Sequence, residues 1–353
     1  MVKKIAIVTF NLGGPDRPES VQPFLFNLFN DPAIISLPNP FRWFLARLIS
    51  KRRAPVAREI YSNLGGGSPL LPLTEEQCRA LEQALGDNGG DTEYKAFIAM
   101  RYWHPMSIEA AERVRDYAPD EIILLPLYPQ FSTTTTGSSL GEWHRAAKIV
   151  GLEARTRAVC CYPENDGWIA AQADLVGRAL KDWSGDKAPR VLFSAHGLPK
   201  KVIAGGDPYQ WQVEQTTRAV LDRLATDGHS DIEGVVCYQS KVGPLEWIGP
   251  STEDEIARAG ADNRGLIIVP IAFVSEHSET LVELDIEYRE LADEKGVPAY
   301  VRVPAVADHP AFVRGIADAV NRALGLNEAI NCDTGSRICP HDHKRCPLKA
   351  AGV

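Results

Sequence analysis

Between Glu276 and Glu287 the chain carries Glu276, His277, Glu279, Glu283 and Glu287, a set of carboxylates and one imidazole able to bind cations or pass protons. The run before them, residues 266–274, is apolar and β-branched, as in a strand buried on both faces of a parallel sheet. After it, Leu281, Leu284 and Leu291 fall at helical spacing. A buried strand therefore delivers the acidic cluster to the start of a helix, and in open α/β sheets ligands bind at that strand end. On an α-helix rising about 1.5 Å per residue, Glu279, Glu283 and Glu287 stand on one face in a row roughly 12 Å long. Glutamates in a first turn also offset the helix dipole, and acidic stripes are commonly solvated faces, so the row needs a matching site elsewhere.

The chain must supply the elements that position such a site. Its 353 residues suffice for two domains, and 44% hydrophobic with 24% charged residues is the balance of a soluble globular protein. A net charge of −8 argues against a nucleic-acid partner. No apolar run reaches about 18 residues, so no spanning helix is expected. The basic, then apolar start MVKKIAIVTF reads as a first strand rather than a secretory signal, which points to the cytoplasm. There, seven cysteines read as thiols or metal ligands rather than disulfides.

Strand-like runs recur at 5–10, 94–100, 121–128, 155–160, 190–196, 234–239, 266–273 and 300–306, with helical patterns at 73–85, 107–118, 167–183, 210–226 and 280–294. This alternation predicts an α/β protein of two similar Rossmann-like domains, each a four-stranded parallel sheet flanked by helices, with a cleft between them. IILLPLYPQFSTTTTGSSL and LIIVPIAFVSEHSETL share an apolar run, a proline, an aromatic residue and a hydroxyl-rich loop, which suggests duplication. The expected division is 1–162, 163–328 and a cysteine-containing tail, 329–353.

Four further segments stand out. The long insertion 11–72 contains an aromatic and basic stretch, residues 37–53, that suits a membrane interface, a pocket lip for a flat apolar ligand, or plain packing. NLGGGSP, residues 63–69, lacks a Walker lysine and reads as a tight turn near a ligand. FSTTTTGSS, residues 131–139, resembles an anion-binding loop, although capping explains much of it. SAHGLP puts His196 at the C-terminal end of a strand, where the acidic cluster also emerges.

In these segments the chain closely resembles the ferrochelatases, which insert ferrous iron into a porphyrin. The matching motifs are NLGGP (11–15), KRRAP (51–55), GGGSP (65–69), RYWHP (101–105), YPQFSTTTTGSS (128–139), SAHGLP (194–199), GDPY (206–209), QSKVGPLEWIGP (239–250) and VSEHSETLVELDIEY (274–288). The resemblance implies a two-domain chelatase fold with the porphyrin in the cleft, and His196 and Glu279 as the essential pair on opposite sides of the macrocycle centre. Glu276, His277, Glu283 and Glu287 would extend from them as supporting or conducting groups. Leu12, Arg53, Tyr61, Arg101, Tyr102, Trp247 and Phe273 would line the porphyrin. The implied substrates are protoporphyrin IX and ferrous iron; coproporphyrin III, another metal, or a non-catalytic haem or porphyrin carrier are the alternatives. Peripheral contact with the inner membrane would run through residues 37–49.

The tail carries Cys332, Cys339 and Cys346 at equal spacing, with His341 and His343 between them. The resemblance implies a two-iron two-sulfur cluster of the kind some ferrochelatases hold on four cysteines near the C-terminus. Animal members take their distant ligand from the hydroxyl-rich loop, where this chain has Thr133, so Cys160 or Cys161 is the expected substitute. A zinc site using a tail histidine is the alternative.

Overall fold

The structure, a computed structural model, describes residues 2–87 and 91–348; residues 349–353 of the tail lie outside the described residues. The strands are β1 (Lys3–Asn11), β2 (Thr92–Met100), β3 (Glu121–Pro126), β4 (Arg155–Val159), β5 (Arg190–His196), β6 (Glu233–Gln239), β7 (Leu266–Pro270), β8 (Tyr300–Arg302) and β9 (Ile330–Asn331). They form two parallel sheets, ordered β2-β1-β3-β4-β9 and β6-β5-β7-β8. The expected α/β architecture is therefore present, with one difference among the described residues: the first sheet has five strands. Its extra strand pairs Ile330 and Asn331 with Ala158 and Val159, a piece too short to show any periodicity in sequence.

The two sheets share an order, in which the first strand of each unit lies between the second and the third. The direction of strand addition thus reverses between β1 and β3, and again between β5 and β7, the switch points at which such sheets bind ligands. Burial explains the apolar runs, since every residue of β7 and Ile5 through Asn11 of β1 are buried. β7 stops at Pro270, which has no N–H to continue the ladder, although the apolar run reads on.

The chain separates into two compact units, Met1–Cys161 with Ala317–Ser336 and Tyr162–Ile316 with Arg337–Val353. Where a simple division at 162 and 328 is expected, the chain crosses back along helix Pro310–Gly325 to add β9 to the first sheet and then returns. Each sheet has its own core. Val8, Phe10, Leu124 and Trp143 pack in the first, and Leu192, Ile268, Leu284 and Tyr288 in the second.

Within the insertion, helix Phe41–Ser62 carries the aromatic and basic stretch. Trp43 packs edge-on against Phe26 and Phe44, while Phe41, Phe44 and Leu48 are exposed. The GGGSP loop is a tight turn, as expected: Gly65 and Gly66 have positive φ, and a Cβ on Gly67 would lie 2.6 Å from the Asp16 carbonyl oxygen. Among the described residues no helix is long and apolar enough to cross a membrane.

Candidate active site

The second sheet brings two of the expected residues together at the β5/β7 switch point. His196 is the last residue of β5, and Glu279 opens the helical segment that follows β7. Their side chains meet, Nδ1 to Oε2, at 2.9 Å, so the pair stands together rather than on opposite sides of a macrocycle centre as the resemblance implies. The bond leaves Nε2 as the imidazole nitrogen available to a ligand. Trp247 stands edge-on to His196 with ring centroids 6.3 Å apart. That approach depends on Gly197, where a Cβ would come within 3.0 Å of the Trp247 ring and of the Gln239 carbonyl oxygen.

Glu283 lies next along the file, enclosed by donors. Ser240 gives it the backbone N–H at 2.8 Å and the hydroxyl at 2.5 Å, Gln239 gives an amide N–H at 3.0 Å, and the Tyr288 hydroxyl donates at 3.1 Å. Glu287 lies at the exposed end. Glu276 is directed elsewhere, since its carboxylate pairs with Arg302 at 2.7 Å and accepts the Ala305 N–H at 2.9 Å. Arg302 also pairs with Asp285, so Glu276 belongs to a structural ion network at the margin of the file.

The electrostatics separate these groups by role. Burial works against a charge on His196, but the Glu279 carboxylate, by charge and hydrogen bond, and more weakly Glu283, raise its pKa above the ordinary histidine value. Burial equally opposes ionisation of Glu279, and the His196 imidazolium outweighs it, so Glu279 titrates well below an ordinary carboxylate. Burial, then repulsion from Glu279, raises Glu283 despite its four donors. His277 is lowered by burial and stays neutral near pH 7; its Nε2 lies 3.9 Å from Glu279, and its ring packs 4.7 Å from Phe273. Solvent still reaches 37% of the His196 side chain and 26% of Glu279, so water screens the pair.

The α-helix expected over 280–294 is replaced over its first part by a π-helix, Glu279–Glu287, continued by an α-helix over Tyr288–Glu294. The Tyr288 N–H reaches back five residues to the Glu283 carbonyl. Side chains from β6 and β8 support the wider turn. Gln239 donates to the Glu279 carbonyl at 3.0 Å and the Tyr300 hydroxyl to that of Leu284 at 2.6 Å. The row length reckoned from an α-helical rise does not carry over. The file does, because four residues make close to one turn of this wider helix.

A histidine and carboxylate pair, backed by a second carboxylate whose pKa is raised, can bind a cation and move protons. The family model described as Ferrochelatase matches residues 4–324. The chain belongs to the ferrochelatase family. It is 52% identical to a ferrochelatase of Caulobacter vibrioides over 99% of both chains. Its identity to a ferrochelatase of Hyphomonas neptunium is 49%, over 98% of this chain and 95% of that one. For Pelagibacter ubique the figure is 47% over 98% of each. Among solved structures, SirB from Bacillus subtilis with Fe3+ shares the fold, with a TM-score of 0.50, 12% identity and coverage of 93% of this chain and 99% of that one.

Of the residues expected to line the porphyrin, Trp247 and Phe273 belong to the second unit, and Leu12, Arg53, Tyr61, Arg101 and Tyr102 to the first. Leu12, Tyr61 and Tyr102 share one apolar cluster with Phe29, and Arg53 lies 5.8 Å over the Phe29 ring. Tyr102 is fully buried beneath Arg101, whose guanidinium sits 4.9 Å from the ring centroid. Asp31, which no motif singles out, organises this corner: one carboxylate oxygen takes Arg101 at 2.8 Å, the Tyr102 hydroxyl at 2.8 Å and Ser138 at 2.5 Å. The Ser138 hydroxyl of the threonine-rich loop is thus directed at Asp31. Gln239 and Ser240 were equally invisible as partners of Glu283, because strand pairing brings β6 there, whereas Tyr288 reaches it from five residues along the same helical segment.

The cysteines expected to hold a ferrochelatase cluster fall into two sets. In the first unit the Cys161 sulfur lies 3.6 Å from that of Cys160 and 3.5 Å from that of Cys332, all buried. In the second unit Cys339 and Cys346 are hydrogen-bonded; that bond, with the Leu348 backbone and Arg337, lowers Cys346 to about 6. The Cys160 hydrogen bond, with burial, raises the Cys161 thiol against the lowering effect of its bond to Cys332, and the Cys161 bond with burial raises Cys332. Two sulfurs on one tetrahedral metal with bonds of about 2.3 Å stand about 3.7 Å apart, so the Cys161 and Cys332 spacing suits a shared metal. Among the described residues no group of three or more His, Cys, Asp or Glu side chains is gathered to hold a metal ion.

Proposed function

We propose that the chain inserts ferrous iron into protoporphyrin IX to form protohaem. The observation that carries this reading is the His196 and Glu279 hydrogen bond at the β5/β7 switch point, with Glu283 enclosed behind it. A free porphyrin must lose two N–H protons as the divalent metal enters. His196 accepts the two pyrrole protons one after the other at Nε2, each being passed on before the next is taken, while Glu279, held ionised, stabilises the imidazolium. Glu283, with its raised pKa, then receives the proton and passes it toward exposed Glu287. The imidazole and carboxylate donors also suit a hydrated ferrous ion, and two of them hold it loosely enough to release it into the ring.

The decisive experiment mixes protein, ferrous iron and protoporphyrin without oxygen and follows porphyrin fluorescence and the visible bands. Repeated turnover to the haem spectrum is expected, faster on protoporphyrin than on coproporphyrin. Shifted bands without turnover would identify a carrier instead. The exposed Phe41, Phe44 and Leu48, beside Arg47, Lys51 and Arg52, support the reading that residues 37–49 touch a membrane surface.

We further assign a two-iron two-sulfur cluster to Cys161, Cys332, Cys339 and Cys346. Within the first unit the spacing of the Cys161 and Cys332 sulfurs suits one shared metal, and within the second Cys339 and Cys346 are hydrogen-bonded. Cys161 is preferred to Cys160 because its sulfur is the one beside Cys332. Protein purified without oxygen is expected to show the cluster's visible absorption, and Cys339→Ser to bleach it; a colourless, iron-free wild type would overturn the assignment.

A further inference from the structure

Residues 337–348 form no helix or strand, yet one side chain ties several points of this segment together. The Arg337 guanidinium donates to four backbone carbonyls: Cys339 at 2.9 Å, Leu348 at 2.8 Å, Pro340 at 2.6 Å and His343 at 3.0 Å. These carbonyls span the loop that carries both Cys339 and Cys346. A planar guanidinium with five N–H groups can tie several chain points at fixed angles, whereas an ammonium cannot.

The loop is also docked on its own unit. Arg345 donates its N–H to the Gly206 carbonyl at 3.0 Å, and the His343 ring packs 5.9 Å from that of Trp211. A Cβ on Gly206, at φ +93°, would lie 2.8 Å from the Lys344 nitrogen, so the tail comes close only because that residue is glycine. From helix Tyr209–Thr226, the buried Gln212 amide donates to the Cys339 sulfur at 3.1 Å. An N–H aimed at a ligand sulfur orients it and tunes the metal.

We propose that Arg337 is the clamp that folds residues 339–348 and thereby presents Cys339 and Cys346 as one preformed chelating pair, with Gln212 setting the direction of the Cys339 sulfur. The identity of the metal group rests on the cluster reading above; the clamp itself does not. Arg337→Gln removes the charge and most of the donors, and Arg337→Lys keeps the charge but loses the fork.

The test compares full-length wild type, Arg337→Gln, Arg337→Lys and Gln212→Leu, all prepared without oxygen. Iron and sulfide per chain, cluster absorbance and cluster lifetime against a chelator are measured. The rate of trypsin cleavage after Lys344 and Arg345 is followed in the metal-free proteins. Both Arg337 variants are expected to lose cluster lifetime by about ten- to a hundredfold and to be cut several-fold faster in the tail, since losing a residue that supports the ligands costs about that much affinity. Gln212→Leu is expected to shift the cluster spectrum while the tail stays resistant. If wild type holds no cluster, that reading fails, and the cleavage rates alone decide the clamp. Arg337→Gln protein cut no faster than wild type, or holding its cluster as long, would overturn the proposal.

Discussion

His196→Ala is expected to reduce iron insertion by about a thousandfold while porphyrin affinity changes only a few-fold. The imidazole sits at the end of β5 and makes one strong polar contact, to Glu279, so its removal takes away the proton acceptor at Nε2 without dismantling an apolar wall. It also leaves Glu279 without the cation that holds it ionised, and that carboxylate then titrates higher. Anaerobic loss of porphyrin fluorescence gives turnover, and quenching of protein fluorescence gives affinity. Residual turnover within about tenfold of wild type would remove His196 from the central role. A large affinity loss with unchanged turnover at saturation would make it a binding group only.

Glu279→Gln is expected to lower turnover by about a hundredfold or more, and to change the pH dependence in a direction that identifies the mechanism. In the wild type His196 must be neutral to accept a proton, so the rate rises as pH climbs through its raised pKa. Removing the Glu279 charge leaves burial acting against the imidazolium, and the His196 pKa falls. The rising limb of the residual activity therefore moves to lower pH, and the His196 resonance followed by NMR titrates lower. Glu283 responds as well, since part of its elevation is repulsion from Glu279.

Stability follows by linkage. In the wild type the raised His196 pKa contributes stability fully present below the unfolded histidine pKa and lost as pH rises through the folded value. The lowered Glu279 contributes above the unfolded carboxylate pKa and loses it as pH falls through the folded one. The pair is strongest between the two ordinary values. Melting temperature against pH should flatten across both windows in the variant, modestly because solvent reaches both side chains. An unmoved His196 titration would show that Glu279 does not set its proton affinity.

Much of this architecture is legible from residue order. Apolar β-branched runs alternating with helical patterns announce parallel sheets because strands covered on both faces cannot alternate polar and apolar residues, and β5 spans residues 190–196 as its run predicts. The ferrochelatase motifs placed His196 and the acidic file at strand ends, where backbone geometry presents side chains to a ligand.

Sequence by itself therefore determined the alternating elements, the family and the residue types available for metal and proton chemistry, because those depend on periodicity and local motif. Only the tertiary structure decided which partners each group receives: Glu276 goes to Arg302, Glu283 to Ser240, Gln239 and Tyr288, and Arg101 to Asp31. The same holds for the π-helical winding of Glu279–Glu287, supported by donors from β6 and β8, and for the short strand β9. The physical reason is common to all of them. Most of these contacts join residues distant in the chain, the Glu283 and Tyr288 contact depends on the π-helical winding, and a buried polar group takes whichever partner the packing brings within hydrogen-bond reach.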